Sequence, residues 1–278
     1  MTEFFDITGG RIAYDVTGEG PLIVLWHGLG DHRQAYRFLV PELVRAGFRV
    51  ANADMRGHGE SSEGAWKAIS RTDVAGDQVA LIRHLDGGPA VIVGQSLSGG
   101  AATIAAATAP DLVRAIVEIG PFTRKVTYSA GGLLRVRRYR RGTLLMGQVT
   151  LGSLGAWFRY LDLAYPEKPA DYAAYMAALR AKLSEPGRKA ELRKTLKTTP
   201  ADAGAALPRI SCPALIMMGD EDPDFADPQA EAEGIVAEMP AGLGAVAVIK
   251  NGGHYLHAQR PGEVAELIVS FLRQHDLA

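Results

Sequence analysis

Six short apolar runs recur along the chain, and helical spacing separates most of them from one another. Each run is rich in Val, Ile, Leu and Ala, and the six are Leu22–Trp26, Arg49–Ala53, Ala90–Gly94, Ala115–Ile119, Ala214–Met218 and Val246–Lys250. Strands buried on both faces have this pattern, and they occur in mostly parallel sheets covered by helices. Helical spacing appears at 33–46, 73–85, 97–109, 228–239 and 261–275. This alternation predicts a doubly wound α/β fold.

The first residues predict an antiparallel hairpin at one edge of the sheet. Phe4–Ile7 and Arg11–Val16 have strand character, and Gly9-Gly10 separates them. Together with the six runs, the hairpin brings the expected number of strands to eight. A chain of 278 residues has room for one such domain with an inserted subdomain.

The alternation stops between residues 122 and 205, where only helical segments broken by Gly and Pro are recognisable. This segment contains 16 lysines and arginines against 6 aspartates and glutamates, whereas the rest of the chain contains 14 against 25. We interpret residues 122–205 as a helical cap inserted between two strands. Residues 1–121 and 206–278 then form the α/β core.

The run Ala90–Gly100 joins a predicted strand to a predicted helix through a serine with small neighbours. Such a turn strains the backbone at Ser96 and presents its hydroxyl at a helix N-terminus, which favours developing negative charge. Ser98 is an alternative centre of the motif, but the apolar run ends at Gly94 and so places Ser96 on the turn. A role as a simple helix cap is the other interpretation of Ser96.

With this motif the chain resembles the α/β-hydrolase family, in its serine-nucleophile branch with a helical cap. The family motif is Gly-x-Ser-x-Gly, and Ser98 replaces the last glycine here. The resemblance covers nearly the whole chain, and the cap is its least specific part. It implies a mostly parallel, eight-stranded sheet flanked by helices, and Ser96 as the catalytic nucleophile.

The segment His27-Gly28-Leu29 follows a predicted strand, where this family builds part of its oxyanion hole. Carried over from the family, the two backbone donors are the N–H groups of Leu29 and Leu97. Three neighbouring side chains are predicted to contact substrate: Trp26, Gln95 and Tyr255. For Trp26, a purely structural place in the core is the alternative.

The family places its catalytic acid and base after the last two strands. Gly219-Asp220-Glu221-Asp222 fits the acid position, and the resemblance selects Asp222 over its acidic neighbours Asp220 and Asp224. Gly252-Gly253-His254 fits the base position better than the nearby His257. The resulting order Ser, Asp, His is the order that this fold uses.

Composition narrows the remaining possibilities. A net charge of −1 provides no general attraction to nucleic acid or anionic membranes. The single cysteine, Cys212, excludes an internal disulfide and suits a reducing compartment, and we interpret it as buried. We find no apolar run of membrane-spanning length, no signal peptide and no metal-ligand spacing. We therefore expect a cytoplasmic monomer or homodimer without cofactor or metal.

The predicted function is a serine hydrolase that cleaves a small ester or thioester through an acyl-enzyme. A carbon–carbon bond hydrolase, a lactonase, or a non-hydrolytic lyase, cyclase or receptor-like protein is the alternative. One hypothesis extends to the substrate: the cap arginines Arg135, Arg137, Arg138, Arg140 and Arg141 attract an anionic molecule. Alternatively, these arginines form a solvated face that pairs with the acidic core.

Overall fold

The computed structural model describes residues 1–86, 88–125 and 127–278. Its strands are β1 Glu3–Ile7, β2 Gly10–Thr17, β3 Leu22–Trp26, β4 Arg49–Ala53, β5 Ala90–Gln95, β6 Val113–Ile119, β7 Ala214–Gly219 and β8 Gly244–Ile249. They form one eight-stranded sheet in the order β1-β2-β4-β3-β5-β6-β7-β8. The pairs β1/β2 and β2/β4 are antiparallel, and all other pairs are parallel. The predicted fold is therefore confirmed, including the edge hairpin.

Helices cover both faces of the sheet and fill the connection between β6 and β7. Their bounds are α1 Leu39–Arg45, α2 Arg71–His84, α3 Leu97–Thr108, α4 Ala130–Arg135, α5 Arg137–Thr150, α6 Leu154–Ala164, α7 Tyr172–Leu183, α8 Arg188–Thr195, α9 Ala201–Gly204, α10 Pro228–Ala237, α11 Leu256–Gln259 and α12 Pro261–Gln274. Short 3₁₀ turns lie at Arg33–Tyr36 and Leu207–Arg209.

Alternate residues of each central strand enter different apolar layers. In β3, Ile23 and Leu25 pack on the side of α1 and α12, while Val24 packs on the side of α2, α3 and α10. All three side chains are fully buried. Burying an aliphatic side chain of this size contributes about 1.5–3 kcal/mol, so the sheet is held from both faces.

One predicted helix is divided in two. Residues 33–46 form the 3₁₀ turn Arg33–Tyr36 and then α1, which begins at Leu39. The reason is Pro41, because its ring would clash with the carbonyl group of Arg37 in a continuous helix. Proline is tolerated in the first turn of a helix, so α1 begins shortly before it.

Helices α4–α8 form the insertion, with an apolar cluster of their own. Trp157 and Leu161 of α6 pack with Tyr175 and Leu179 of α7, and all four are buried. Tyr255, which follows β8, joins the same cluster. The insertion is thus packed directly onto the loop that follows the last strand.

Candidate active site

The turn between β5 and α3 holds Ser96 in an unusual conformation. Its φ is 56° and its ψ is −118°, although residues other than glycine rarely have positive φ. Two residues earlier, a Cβ added to Gly94 would lie 2.2 Å from the carbonyl oxygen of Ser98. Only glycine therefore permits the strand and the helix to come so close. The turn leaves Ser96 at the N-terminal end of α3, where it lines a cavity.

Ser98 has a different environment from Ser96. Its side chain is fully buried, and its hydroxyl donates to the backbone carbonyl of His27 at 2.5 Å. Ser98 is absent from the residues that line the cavity. The bond joins the first turn of α3 to the end of β3, so Ser98 supports the loop that carries Leu29.

The loops after β7 and β8 bring Asp222 and His254 together. His254 Nδ1 lies 2.8 Å from Asp222 Oδ2, and both side chains are buried. The structure places His254 in the same cavity wall as Ser96. Gly120, at φ 53°, lies against the pair, since an added Cβ would be 2.9 Å from His254 Nδ1. The backbone N–H of His254 donates to the carbonyl of Ala164 in α6.

A second carboxylate lies beside the imidazole. Asp224 Oδ2 is 3.4 Å from His254 Nδ1 and accepts a hydrogen bond from the Tyr160 hydroxyl at 2.6 Å. Burial alone would lower the pKa of His254, but Asp222 and Asp224 outweigh it and raise this pKa to about 9. Burial and the neighbouring negative charge of Asp222 raise the pKa of Asp224.

Two residues that line the cavity near Ser96 have backbone N–H groups without a hydrogen-bond acceptor in the described part of the chain. Within residues 1–86, 88–125 and 127–278, the N–H groups of Leu29 and Leu97 have no hydrogen-bond acceptor. The Leu29 loop is braced by His27, whose Nδ1 lies 2.8 Å from the carbonyl oxygen of Gly28. His27 Nε2 accepts from the N–H of Met55 at 2.9 Å, which assigns the proton to Nδ1. His27 is therefore a structural residue of this loop.

The cavity itself has a volume of about 410 Å³, a size suited to a small ligand. Phe122, Trp157, Tyr160 and Tyr255 supply most of its aromatic surface. The remaining lining residues are Leu29, Arg71, Ser96, Leu97, Tyr128, Thr143, Met146, Gly147, Thr150, Thr195, Leu196, Thr198, Pro200, Asp224 and His254. Tyr255 thus lies where a substrate contact was predicted.

Trp26 and Gln95 are not placed on the cavity wall. Trp26 is fully buried between the sheet and its helices, because the alternation along β3 turns its side chain into that layer. The Gln95 side chain packs against Gly28, and an added Cβ on Gly28 would lie 2.2 Å from Gln95 Oε1. Both residues were predicted to contact substrate. In the structure they pack beneath the cavity wall and do not line it.

Sequence reasoning did not identify most of the wall residues, and Arg71, Phe122 and Tyr160 are the important examples. Phe122 packs edge-on against His254, with 6.1 Å between ring centroids. The sequence does contain a signal for the position of Arg71 in the chain, because Ser70 and Asp73 form a capping box around it. This box fixes the position of Arg71 as the first residue of α2.

The five cap arginines lie outside the cavity. Arg135, Arg137, Arg140 and Arg141 are exposed, and none of the five lines the wall around Ser96. Arg138 is half-buried, and it donates to the carbonyl of Asp220 at 2.8 Å and lies 3.5 Å from Glu221. These contacts of Arg138 favour the alternative in which the cap arginines pair with acidic residues of the core.

Asp222, Asp224 and His254 are also the residues best placed to hold a metal ion. Their donor atoms all lie within 4.8 Å of one another, which is true of no other such group in the described residues. A cation there would take the Nδ1 and Oδ2 atoms that now share a hydrogen bond. The absence of metal therefore stays a prediction that metal analysis of the purified protein can check.

Comparison with known proteins agrees with this fold. Residues 23–267 match the alpha/beta hydrolase family, so the chain belongs to that family. A 2-(acetamidomethylene)succinate hydrolase from Mesorhizobium japonicum is 28% identical over 95% of this chain and 92% of its own. An epoxide hydrolase from Caballeronia sordidicola is 31% identical over 43% of this chain and 40% of its own.

The similarity in fold to a solved structure extends over nearly the whole chain. The thermophilic esterase from Thermogutta terrifontis, in a malate-bound form, superposes with a TM-score of 0.71 at 22% identity, over 98% of each chain. This similarity supports the fold. Among the helices of the described residues, none combines the length and the apolar character needed to cross a bilayer.

Proposed function

We propose that the protein is a serine hydrolase that cleaves a small-molecule ester or thioester through an acyl-enzyme intermediate. One observation carries the proposal: Ser96, strained at the start of α3, shares a small cavity with His254, which Asp222 holds at 2.8 Å. Folding alone does not require these three residues at one point. In the same proposal, residues 122–205 act as the cap that closes the cavity.

The reaction follows from the roles of these groups. His254 Nε2 takes the proton of the Ser96 hydroxyl as the oxygen attacks the acyl carbon. The N–H groups of Leu29 and Leu97 stabilise the resulting oxyanion, and each such donor is typically worth about 2.7–4 kcal/mol. His254 then returns the proton to the departing alcohol or thiol. Water, deprotonated by His254, attacks the acyl-enzyme and releases the acid and free Ser96.

The nucleophile favours an acyl substrate over an epoxide. A serine alkoxide attacks carbonyl carbon, and the proposed donors of Leu29 and Leu97 would stabilise the oxyanion that this attack produces. The turn between β5 and α3 carries the hydroxyl of Ser96 and no carboxylate. The relative from Mesorhizobium japonicum is named as a 2-(acetamidomethylene)succinate hydrolase, so the amide bond is a further acyl class to test.

The first experiment combines a fluorophosphonate probe with p-nitrophenyl esters of increasing acyl length. We expect labelling at Ser96, mapped by mass spectrometry, with loss of esterase activity. Ser96→Ala should lower kcat by at least about 10⁴-fold, because the nucleophile is absent. Ser98→Ala is the matched control: it should still be labelled at Ser96 and lose less than about tenfold, since Ser98 only supports the loop.

Other outcomes would change the assignment. Labelling at Ser98, or full activity in Ser96→Ala, would overturn Ser96 as the nucleophile. A folded protein that is neither labelled nor active on esters, thioesters, lactones or amides would favour a lyase, cyclase or receptor-like role for the same cavity.

A further inference from the structure

Arg71 is a charged residue of the cavity wall that the proposed reaction does not use. It is the first residue of α2, it is 6% exposed, and it lines the same cavity as Ser96. No other lysine or arginine of the described residues lines this wall. A cation directed into an active-site cavity is positioned to act on a ligand.

The buried arginines of this protein differ in their partners. Arg33 is bound to Asp54, and Arg56 binds Asp77 through a hydrogen bond of 2.6 Å. Arg71 donates from Nε to the carbonyl of Phe122 at 2.8 Å. In residues 1–86, 88–125 and 127–278, no carboxylate oxygen lies within 4.0 Å of its guanidinium nitrogens. Among the described residues, its terminal nitrogens therefore have no anionic partner.

This arrangement is unfavourable for the folded protein by itself. A buried charge without a counter-ion is costly, and a cation in the first turn of a helix meets the positive end of the helix dipole. Burial lowers the pKa of Arg71 to about 10, although Asp202 opposes this effect. Arg71 therefore stays charged at neutral pH. An anionic ligand would relieve all of these costs together.

Short contacts connect Arg71 to the nucleophile. Phe122 accepts from Arg71 Nε, and its own N–H donates to the carbonyl of Ser96 at 3.2 Å. A Cβ added to Gly100 would lie 3.0 Å from Arg71 Cδ, so the side chain runs along the first turn of α3. A ligand that reaches Ser96 therefore also comes within reach of the guanidinium.

We propose that Arg71 binds a carboxylate of the substrate, and hence that this enzyme acts on small acyl compounds that carry a carboxylate. This inference rests on the proposed function and specifies its substrate class. A guanidinium matches a carboxylate with two parallel hydrogen bonds, which also fixes the orientation of the ligand. A cavity of about 410 Å³ limits the substrate to a small molecule.

The test compares charged and neutral esters of equal size. Mono-p-nitrophenyl glutarate carries the carboxylate on its acyl part, and its methyl ester is the neutral match. 4-Acetoxybenzoate carries the carboxylate on its leaving group, and methyl 4-acetoxybenzoate is the neutral match. We expect kcat/KM to favour one charged member, and that preference identifies the side of the ester on which the carboxylate lies.

Arg71→Met removes the charge at similar volume. It should lower kcat/KM for the preferred charged ester by roughly 10- to 100-fold, and by more than it lowers kcat/KM for the neutral match, so that the preference for charge is lost. Arg71→Lys should restore part of the preference for the charged ester. This variant therefore shows whether the loss in Arg71→Met comes from the missing charge or from a folding defect. Arg140→Gln is the matched control, because Arg140 is exposed and outside the cavity. It should leave both esters unchanged.

Failure of this inference is distinct from failure of the proposed function. Turnover of neutral esters through Ser96, with no preference for either charged ester and no effect of Arg71→Met, would overturn the role of Arg71 alone. If no ester is hydrolysed, calorimetry should measure the binding of glutarate to the wild-type protein and to Arg71→Met. Binding that Arg71→Met abolishes supports the inference, and absence of binding overturns it.

Discussion

The two walls of the cavity are built in different ways. The sheet wall consists of residues from the loops after β3 and β8 and from the turn that begins α3, namely Leu29, His254, Ser96 and Leu97. The cap wall consists of side chains from α5, from α6 and from the residue that follows α8, namely Thr143, Met146, Thr150, Trp157 and Leu196. The first wall offers N–H and imidazole groups, and the second offers mainly apolar surface.

The polar groups of the cap wall are largely occupied within their own helices. Thr143 donates to the carbonyl of Tyr139, and Thr150 donates to that of Met146. Such bonds turn the hydroxyl groups away from a ligand. We infer that the sheet wall supplies the chemistry, whereas the cap wall determines which acyl groups fit. Substitutions of matched size on the two walls should separate these contributions.

The largest effect is expected on the sheet wall, from Asp222→Asn. The amide keeps the shape but offers His254 Nδ1 no carboxylate, so the imidazole loses its orientation and the stabilisation of its charged form. We expect kcat/KM for the best p-nitrophenyl ester to fall by about 10³- to 10⁴-fold.

Asp224→Asn is the matched control, since it lies at 3.4 Å from the same nitrogen. It should cost about tenfold or less and shift the pH profile. The base acts when neutral, so kcat/KM rises with pH through the pKa of His254. Loss of one negative charge lowers that pKa and moves the rise to lower pH. An equal loss of activity in both variants would contradict the assignment of Asp222 as the orienting acid.

A smaller effect is expected from added methyl groups. In Gly120→Ala the new Cβ would lie 2.9 Å from His254 Nδ1, at a φ of 53° that alanine rarely adopts. Displacement of the imidazole should lower kcat/KM by about 100-fold. In Gly147→Ala, on the cap wall, the new methyl meets no atom within 4 Å. Steady-state kinetics should show a change below about threefold; a similar loss at both sites would remove the distinction between the walls.

The smallest effect on rate, with the largest on selectivity, is expected from Met146→Ala. This change enlarges the cap wall without touching the groups around Ser96. The preferred acyl chain of p-nitrophenyl esters should lengthen by roughly two or three carbons, while kcat for the shortest ester changes by less than about threefold. An unchanged chain-length profile would indicate that acyl groups bind elsewhere in the cavity.

The sequence was sufficient for the strands and for the residues at their ends. Continuous apolar runs fix buried strands, and small residues before Ser96 and His254 mark the turns that follow them. The helix over 33–46 was less predictable, because the effect of Pro41 depends on where the helix begins. The side-chain direction of Trp26 was also open, because a fully apolar strand gives no alternation from which to assign its faces.

The wall residues that we propose to select the substrate could not be predicted from apolar runs and turn residues. Arg71 follows a helix cap and looks like a solvated surface residue in sequence, and its partner Phe122 lies 51 positions away. Tyr160 and Asp224 are 64 positions apart. Contacts of this kind arise only when the insertion packs onto the sheet, and nothing in local periodicity encodes them.

The attachment of the insertion to the loop after β8 has a consequence for turnover. The main chain of His254 is bonded to Ala164 at the end of α6, and Tyr160 of the same helix holds Asp224. A movement of α6 would therefore affect both the access to the cavity and the support of the His254 imidazole. If α6 moves outward to release product, the imidazole loses support at the same moment. The imidazole would regain its full support only when the helix returns.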